Sequence, residues 1–223
     1  KKMNTTTFTS TWELNLSEPL QGSSSPGNIK IGTPEFIPFS KEMLIARTKN
    51  SGKGAFAFNV ESQGKAFATH MQHSEEPQFP TIEEVNARKM QMDLILKKIT
   101  ETTNRCVILT GDLNLDDQEY KSSNWKHFFY KEDEYKQKCC FRKGNQFQIP
   151  QRTWGGDGFY ADFTGKNISG PLNLDHTMLL KGSACSIHTS LVNTEFDCKK
   201  LKKEALSDHA GLFSQIHLSP SKR

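Results

Sequence analysis

A short apolar run that stops at a glycine constrains this chain more than any other feature. Residues 106–110, Cys-Val-Ile-Leu-Thr, lead directly into Gly111-Asp112-Leu113-Asn114. An apolar run followed by glycine and polar groups is typical of a buried strand that ends at a site. Asp112 and Asn114, two apart on extended backbone, would point to the same side and offer a carboxylate and an amide to Mg²⁺ or phosphate. The alternative is a simple β-turn, because Gly, Asp and Asn all form turns.

A helix is predicted just before this strand. Thr81 is a good N-cap and Glu84 completes a capping box after Pro80, so we predict a helix from about Ile82 to Ile99. Its apolar face is formed by Ile82, Val85, Met92, Ile95 and Ile99. Helix and strand make an αβ unit that places Asp112 and Asn114 at the carboxyl end of the strand, where ligands of α/β sheets tend to bind. This placement weakens the simple-turn interpretation.

Strand and turn signals alternate before the helix. Apolar segments at 36–39, 43–46, 55–60 and 65–70 are separated by polar and glycine-containing turns. This spacing predicts an antiparallel meander that builds one sheet. The remaining predicted elements are a short strand at 12–16, a helix at 124–135, an extended piece at 152–154, a strand at 172–180 with Asp175 in its interior, and a last strand at 210–213.

Composition excludes several classes of protein. The chain has 223 residues, of which 35% are hydrophobic and 24% charged, and its net charge is +4. We predict no transmembrane segment, because no apolar run is long enough to span a bilayer. The mild positive charge permits a polyanionic partner without arguing for one. The five cysteines show no metal-ligand spacing, so thiol and zinc chemistry are not indicated, and we interpret Cys106 as a buried strand residue.

Polar residues at four places in the predicted strands or at their ends complete the candidate site. They are Thr69-His70, Asp112 with Asn114, Asp175, and Asp208-His209. A carboxylate on one imidazole nitrogen fixes the tautomer and leaves the other nitrogen free to take a proton, which suits general-base catalysis. Taken singly, the histidines could be surface residues and Asp175 a salt-bridge partner. Their combination in this order indicates a functional site.

The order and wording of these motifs resemble the endonuclease/exonuclease/phosphatase superfamily. The matching segments are Thr69-His70, Gly111–Asn114, Leu174-Asp175-His176 and Ser207-Asp208-His209. Within that superfamily, Thr69-His70-Met71-Gln72, followed by Arg88 and Gln91 on the helix, is most similar to the neutral and bacterial sphingomyelinase branch. The resemblance covers about Phe36 to Ile216. It implies the deoxyribonuclease-like fold, an α/β four-layer sandwich with two packed, mostly antiparallel sheets.

The resemblance also implies roles for these residues. His209 would be the general base that activates a water, with Asp175 holding its imidazole. Asp112 and Asn114 would bind the scissile phosphate and orient the water, and His70 would stabilise the phosphate or the leaving oxygen. Asp208 would serve a metal ion, directly or through water.

The implied function is Mg²⁺-dependent hydrolysis of phosphodiester bonds, a reaction that depends on positioning and charge neutralisation. A phospholipid is favoured over nucleic acid as the substrate, with peripheral contact to a membrane. The alternatives are a nuclease or a phosphoinositide phosphatase of the same fold, and a degenerate, non-catalytic member that acts as a binding module. Oligomeric state and compartment stay open.

The amino-terminal part departs from the superfamily pattern. Members begin with a strand that carries an Asn and a second strand that carries a Glu, the principal metal ligand. Asn4, Glu13 and Glu35 are the candidates here, and none ends a matching apolar strand. The chain also opens Lys1-Lys2-Met3, so we expect a fragment or an amino-terminally incomplete copy. We assign residues 1–34 to a loop-rich segment of the same domain, 35–218 to the superfamily-like domain, and 219–223 to a disordered tail.

Overall fold

The structure, a computed structural model, describes residues 31–60, 64–76, 79–116, 119, 172–182, 185–192, 195–196, 204–205, 209 and 211–218. All of them lie in the second of the two units into which the chain divides, Ile31–Arg223. The segments predicted at 12–16, 124–135, 152–154 and 219–223 lie outside the described residues.

A five-stranded mixed sheet carries the predicted site. Its strands, in spatial as well as chain order, are β1 (Glu35–Pro38), β2 (Gly54–Val60), β3 (Gly64–His70), β4 (Cys106–Asp112) and β5 (Asp175–Gly182). Neighbouring strands are antiparallel except β3 and β4, which are parallel because helix α1 (Ile82–Glu101) connects them. The antiparallel β1-β2-β3 arrangement is the predicted meander.

Helix α1 begins as its sequence predicts. The Thr81 side chain accepts a hydrogen bond from the Glu84 backbone N–H, and the Glu84 carboxylate accepts one from the Thr81 N–H, which completes the capping box. The helix ends at Glu101, two residues beyond the predicted Ile99. Ile82 is 65% exposed, so its assignment to the apolar face is wrong; in the first turn the buried position belongs to the capping Glu84.

The face of the sheet that packs with α1 holds the larger core. Side chains from alternate strand positions meet the buried apolar residues of the helix; this cluster includes Phe67, Leu109 and Met178 from the sheet and Met92, Ile95 and Ile99 from the helix. All six are at most 2% exposed. The period-two pattern of the strands and the helical spacing of α1 therefore form one core, which fixes the helix against β3 and β4.

A second pair of strands packs on the opposite face. Strands β6 (Cys185–Val192) and β9 (Gly211–Leu218) are antiparallel, and their Ile187 and Ile216 contact the small cluster of Cys106, Ile108 and Leu179. Cys106 is buried, as predicted, and is disulfide-bonded. Two short strands, β7 (Glu195–Phe196) and β8 (Glu204–Ala205), form a separate antiparallel pair.

A chain of hydroxyl groups joins the two sheets close to the predicted site. Thr110 and Thr177 lie across β4 and β5 with their hydroxyl oxygens 3.0 Å apart, and Ser214 of β9 donates to Thr177 over 3.1 Å. The Ser214 oxygen is in turn 2.9 Å from that of Thr189 on β6. These polar contacts hold β9 in a fixed position relative to β4 and β5.

Three predicted strands differ in the structure. Residues 43–46 are not a strand, because two 3₁₀ helices (Lys41–Met43 and Ala46–Thr48) satisfy the backbone locally while Leu44 is buried. Strand β5 starts at Asp175, so this aspartate lies at a strand end and not in the interior. The last strand runs over Gly211–Leu218 instead of 210–213. Within the described residues, no helix combines the length and apolar character that crossing a membrane requires.

Candidate active site

The register of the sheet brings predicted site residues to one edge. His70 ends β3, Asp112 ends β4 and Asp175 begins β5; His70 is paired with Asp112 in the ladder, and Asp112 with Asp175. His209 lies just before β9, which the hydroxyl contacts hold against these strands. The αβ unit therefore brings His70 and Asp112 together at the carboxyl ends of the parallel strands β3 and β4.

Two imidazoles flank the Asp112 carboxylate. Its Oδ2 lies 3.4 Å from Nε2 of His70 and 3.8 Å from Nε2 of His209. The Nδ1 atom of His209 lies 2.7 Å from Oδ2 of Asp175. His209 is therefore held by one carboxylate at Nδ1 while its Nε2 faces a second one. An imidazole that a carboxylate holds at Nδ1 can take a proton at Nε2.

The carboxylates and His209 also form a candidate metal site. Asp112, Asp175 and His209 each offer a ligand atom, and these atoms all lie within 4.8 Å of one another. Two carboxylate oxygens are the hard donors that Mg²⁺ prefers, whereas an imidazole suits it less well. The donor set therefore fits a divalent cation held mainly by oxygen atoms.

Electrostatics at Asp112 point the same way. Burial, followed by the negative charge of Asp175, raises the pKa of Asp112 from its usual 3.8 to about 7, although His209, the Asn114 N–H and Lys53 oppose the shift. Two crowded carboxylates disfavour each other's ionised form, and a cation between them would relieve that repulsion. Desolvation and the charges of Lys53 and His209 lower the pKa of His70 to about 4, although 61% of its side chain is exposed.

Asn114 reaches the site in a way that the sequence did not predict. Its backbone has a φ of 52°, in the left-handed region, so the expectation that Asp112 and Asn114 share one side of an extended strand is wrong. The Asn114 N–H instead donates to Asp112 Oδ1 over 2.9 Å, and its Nδ2 donates to the Met71 carbonyl over 3.4 Å. This Asx-type turn keeps the amide beside the carboxylate.

Gly111 allows β3 and β4 to approach closely just before the site. Its φ is 133°, a conformation that side chains rarely adopt, and a Cβ at this position would overlap the backbone oxygen of Thr69. Only glycine fits, because it has no Cβ. The glycine that marked the strand end in the sequence thus has a steric role.

Strand β5 holds the segment after Asp112. Leu113 donates its backbone N–H to the Leu174 carbonyl over 3.0 Å, and His176 Nε2 lies 2.6 Å from the Leu115 carbonyl. His176 is buried, at 1% exposed. The third member of the Leu174-Asp175-His176 motif is therefore buried against the backbone of this segment.

Lys53 lies at the candidate site, although no sequence motif marks it. Its Nζ donates to the Met71 carbonyl over 2.6 Å, the same carbonyl that Asn114 contacts. Burial lowers the pKa of Lys53 to about 8, with the charge of Asp112 opposing the shift. Local sequence reads Lys53 as part of a turn. The register would have found it, because Ala55 pairs with Thr69 and the residues before Ala55 therefore run beside His70 and Met71.

The amino-terminal candidates do not complete the site. Glu35 is exposed on the edge strand β1 and pairs with Ala57, which in turn pairs with Phe67, three residues before His70. It lies three strands away from Asp112 and β4, so we exclude it as a ligand beside Asp112. Asn4, Glu13 and the predicted metal ligand Asp208 lie outside the described residues.

Comparisons with known proteins show a fold and no close relative. The sequence matches no protein-family model and no curated protein. Solved structures are similar over most of the chain. Truncated TDP2 of Caenorhabditis elegans has a TM-score of 0.52 at 14% identity, covering 86% of this chain and 67% of its own.

Two further structures give the same result. TDP2 of D. rerio, complexed with a single-strand DNA product, has a TM-score of 0.52 at 18% identity, covering 85% of this chain and 68% of its own. Sphingomyelinase C of Streptomyces griseocarneus has a TM-score of 0.52 at 16% identity, covering 86% of this chain and 65% of its own. These structures share the deoxyribonuclease-like fold, which confirms the α/β fold predicted from the motifs.

Proposed function

We propose that this chain is the catalytic part of a Mg²⁺-dependent hydrolase of phosphodiester bonds, acting on a phospholipid. The observation that carries the proposal is the position of Asp112 between two imidazoles, one of which is held by a second carboxylate. His70 and His209 approach its Oδ2 within 3.4 and 3.8 Å, and Asp175 lies 2.7 Å from His209. We assign to these groups, which lie at one edge of the sheet, the roles of a base, an anion-binding group and a cation-binding group.

His209 is the general base in this proposal. Asp175 accepts a hydrogen bond from Nδ1–H, so the lone pair lies on Nε2, which faces Asp112 and would take a proton from the reacting water. As Nε2 takes the proton of the water, the negative Asp175 carboxylate stabilises the imidazolium that forms. His209 is only partly exposed, with 24% of its side chain accessible, so the ring keeps this orientation.

The phosphate group is bound in this proposal by Lys53, His70 and Asn114. The Lys53 ammonium and the Asn114 amide lie next to each other on the Met71 carbonyl, and His70 is 61% exposed at the same edge. An ammonium, an amide N–H and an imidazole can each hydrogen-bond a phosphate oxygen. Their role is to orient the phosphorus for in-line attack and to oppose the charge that develops on its oxygens.

Of the three residues of the candidate metal site, Asp112 is the one that we propose as a Mg²⁺ ligand, because Asp175 and His209 contact each other over 2.7 Å and act here as the base and its orienting carboxylate. Asp208 is the second ligand that we propose. The bound ion would supply Lewis-acid stabilisation of the phosphate charge. Since Glu35 is excluded, Glu13 is the remaining candidate named above that we propose for the glutamate ligand implied by the superfamily resemblance. Magnesium sites in enzymes often use only one or two carboxylates together with water and substrate oxygens.

A phospholipid head group is the favoured substrate. This choice is supported by the segment Thr69–Gln72 with Arg88 and Gln91, which resembles the sphingomyelinase branch, and by the structural likeness to sphingomyelinase C. Catalysis would then take place in peripheral contact with a membrane. A single-stranded DNA substrate is the second candidate, favoured by the likeness to a TDP2 structure that contains a DNA product.

The test is a head-group release assay on the full-length protein. Sphingomyelin vesicles with and without added Mg²⁺ should release phosphocholine only with the metal, and His209→Ala should abolish the release. Cleavage of single-stranded DNA without phosphocholine release would replace the lipid by the nuclease alternative. If the full-length protein binds vesicles or DNA but hydrolyses neither with Mg²⁺, the catalytic proposal is wrong and the chain is a binding module.

A further inference from the structure

Helix α1 has a buried polar stripe beside its apolar face. Glu84, Arg88 and Gln91 are separated by four and three positions, so they lie on one side of the helix. All three are at most 4% exposed. Charged groups are almost never fully buried unless they are paired, so this stripe has partners that offset the loss of water.

Arg88 contacts the segment that follows β3. Its Nη1 donates to the Gln72 carbonyl over 2.9 Å and to Ser74 Oγ over 2.8 Å. Gln72 comes two residues after His70 at the end of that strand. The guanidinium therefore holds the chain directly behind one imidazole of the site.

The other edge of the same guanidinium contacts the segment that follows β4. Arg88 Nε donates to Glu119 Oε1 over 3.1 Å, and Nη2 donates to Glu119 Oε2 over 2.6 Å, a bidentate pair. The Glu119 backbone N–H donates to Asp116 Oδ1 over 2.7 Å, which ties the pair to the segment that contains Asn114. Arg88 is 0% exposed.

Gln91 provides a natural comparison. Its Oε1 accepts the Gln72 backbone N–H over 2.8 Å, and its Nε2 donates to the Met43 carbonyl over 2.7 Å. The hydrogen bonds of Gln91 thus reach the segment after β3 and the 3₁₀ region, whereas those of Arg88 span both site segments. Variants of Gln91 and Arg88 therefore distinguish the loss of contacts to one segment from the loss of contacts to both.

A buried ion pair contributes little net stability, because desolvation of both charges offsets their attraction. Well-packed apolar residues at these positions would stabilise the fold equally well. The guanidinium of Arg88 is planar and holds its N–H groups in a fixed geometry. It can therefore set the distance between two backbone segments that it hydrogen-bonds.

We infer that Arg88 is a positioning residue, which sets the spacing between the segment bearing His70 and the segment bearing Asp112 and Asn114. The catalytic consequence rests on the proposed function. Arg88 is 0% exposed, so it would act through the two segments that it contacts and not through a contact of its own with the substrate. A misplacement of about 1 Å at a site can cost about a hundredfold in rate.

The first measurement does not depend on activity. Hydrogen–deuterium exchange by mass spectrometry is followed in peptides covering 71–74 and 113–119, with β2 (Gly54–Val60) as the internal control. In Arg88→Lys, whose single ammonium cannot serve both sides, exchange should become faster in both peptides and stay unchanged in β2. In Gln91→Met, it should become faster in 71–74 only. Unchanged exchange in either peptide of Arg88→Lys overturns the inference.

The second measurement separates positioning from stability. At a temperature at which all variants are folded, Arg88→Lys should lose about a hundredfold in kcat with little change in KM. Ile99→Val, a conservative buried change near the carboxyl end of α1, should keep the wild-type kcat. A variant with faster exchange in both segments and an unchanged kcat would overturn the catalytic consequence.

A double variant covers the case in which Arg88→Lys does not fold. Arg88→Met combined with Glu119→Leu removes both buried charges together, so neither is left unpaired. The same two peptides should exchange faster and kcat should fall. A wild-type protein that hydrolyses no phosphodiester would reject the proposed function, while the exchange data would still decide whether Arg88 holds both segments.

Discussion

The Nδ1 atom of His209 lies 2.7 Å from Oδ2 of Asp175, and this contact fixes which ring nitrogen faces the rest of the site. His209 lies just before β9 and Asp175 lies at the start of β5. The distance between them therefore depends on how the two sheets pack. The hydroxyl contacts from Thr110 through Thr177 to Ser214 stabilise that packing. The orientation of the base is thus a property of the fold as well as of two side chains.

Replacing His209 by alanine should remove general-base catalysis. We expect His209→Ala to lower kcat by about 10²–10⁴-fold, the range typical of a lost general base, with a smaller effect on KM. The measurement is steady-state kinetics on the substrate identified for the full-length protein. His188→Ala on β6 is the matched control, because His188 is an exposed histidine away from the site, and it should keep wild-type activity. Undiminished turnover in His209→Ala would reject the mechanism.

Binding of Mg²⁺ should depend steeply on pH. Since the pKa of Asp112 is raised to about 7, protons compete with the metal below that pH. We expect Mg²⁺ affinity to rise about tenfold per pH unit between pH 5 and 7 and to level off above it, measured by calorimetric titration. Asp112→Asn should bind Mg²⁺ weakly and without this rise. An affinity that is independent of pH in the wild type would contradict the assignment of Asp112 as a ligand.

The same shift predicts how metal-free stability changes with pH. Folded Asp112 keeps its proton to a higher pH than unfolded Asp112, so its contribution to folding is fully present below about pH 4 and is lost as the pH rises through about 7. Relative to Asp112→Asn, the free energy of unfolding of the metal-free wild type should fall over that window. Urea titrations at several pH values would check this, and added Mg²⁺ should offset the loss. A wild-type difference from Asp112→Asn that stays constant with pH would contradict it.

Lys53 should matter only while it is charged. Its pKa is lowered to about 8, so we expect kcat/KM to decline as the pH rises through that value. Lys53→Ala should lower kcat/KM by about a hundredfold, as expected for a lost phosphate-stabilising donor. Lys53→Arg should shift the alkaline decline upward, because arginine stays protonated. Lys49→Ala, an exposed lysine close by in sequence, is the control; if it matches Lys53→Ala, the effect is general electrostatics and not a site contact.

Gly111→Ala should destabilise the protein strongly. A Cβ there would overlap the Thr69 backbone oxygen, and the φ of 133° is unfavourable for alanine, so we expect a loss of about 3 kcal/mol in the free energy of unfolding. Gly52→Ala is the matched control. It also has a positive φ, of 63°, but a Cβ there meets no atom within 4 Å, and we expect a loss of about 1 kcal/mol. Equal losses would show that strand approach at Gly111 is not restrictive.

The motifs predicted which of these side chains meet, because polar residues at the ends of neighbouring strands converge. Thr69-His70, Asp112 and Asp175 each mark a strand end, and the αβ unit between β3 and β4 was visible in the capping box and the helical period. What local sequence does not encode is register. Lys53 stands in the turn-forming run 50–54, and its closeness to Met71 follows only from the pairing of Ala55 with Thr69.

Two other differences have physical causes of the same kind. The apolar run 43–46 is too short for periodicity to distinguish a strand from a buried turn. In the folded chain Leu44 is buried between two 3₁₀ helices, so the segment is not a strand. The helical spacing of apolar residues locates the face of α1 that packs on the sheet, but it does not predict that Arg88 is buried. Its partner Glu119 is 31 positions away, so only the folded chain shows that the charge is paired.

The strand order also governs when the site forms during folding. The β2–β3 hairpin needs only local contacts, whereas β4 and β5 bring together residues such as Thr110 and Thr177 that are 67 positions apart. Closing a long loop costs conformational entropy before its contacts can repay it, so distant pairings form slowly. A refolding chain should therefore regain much of its hairpin structure while Asp175 and His209 are still absent from the site. During refolding, secondary structure should therefore return before catalytic activity.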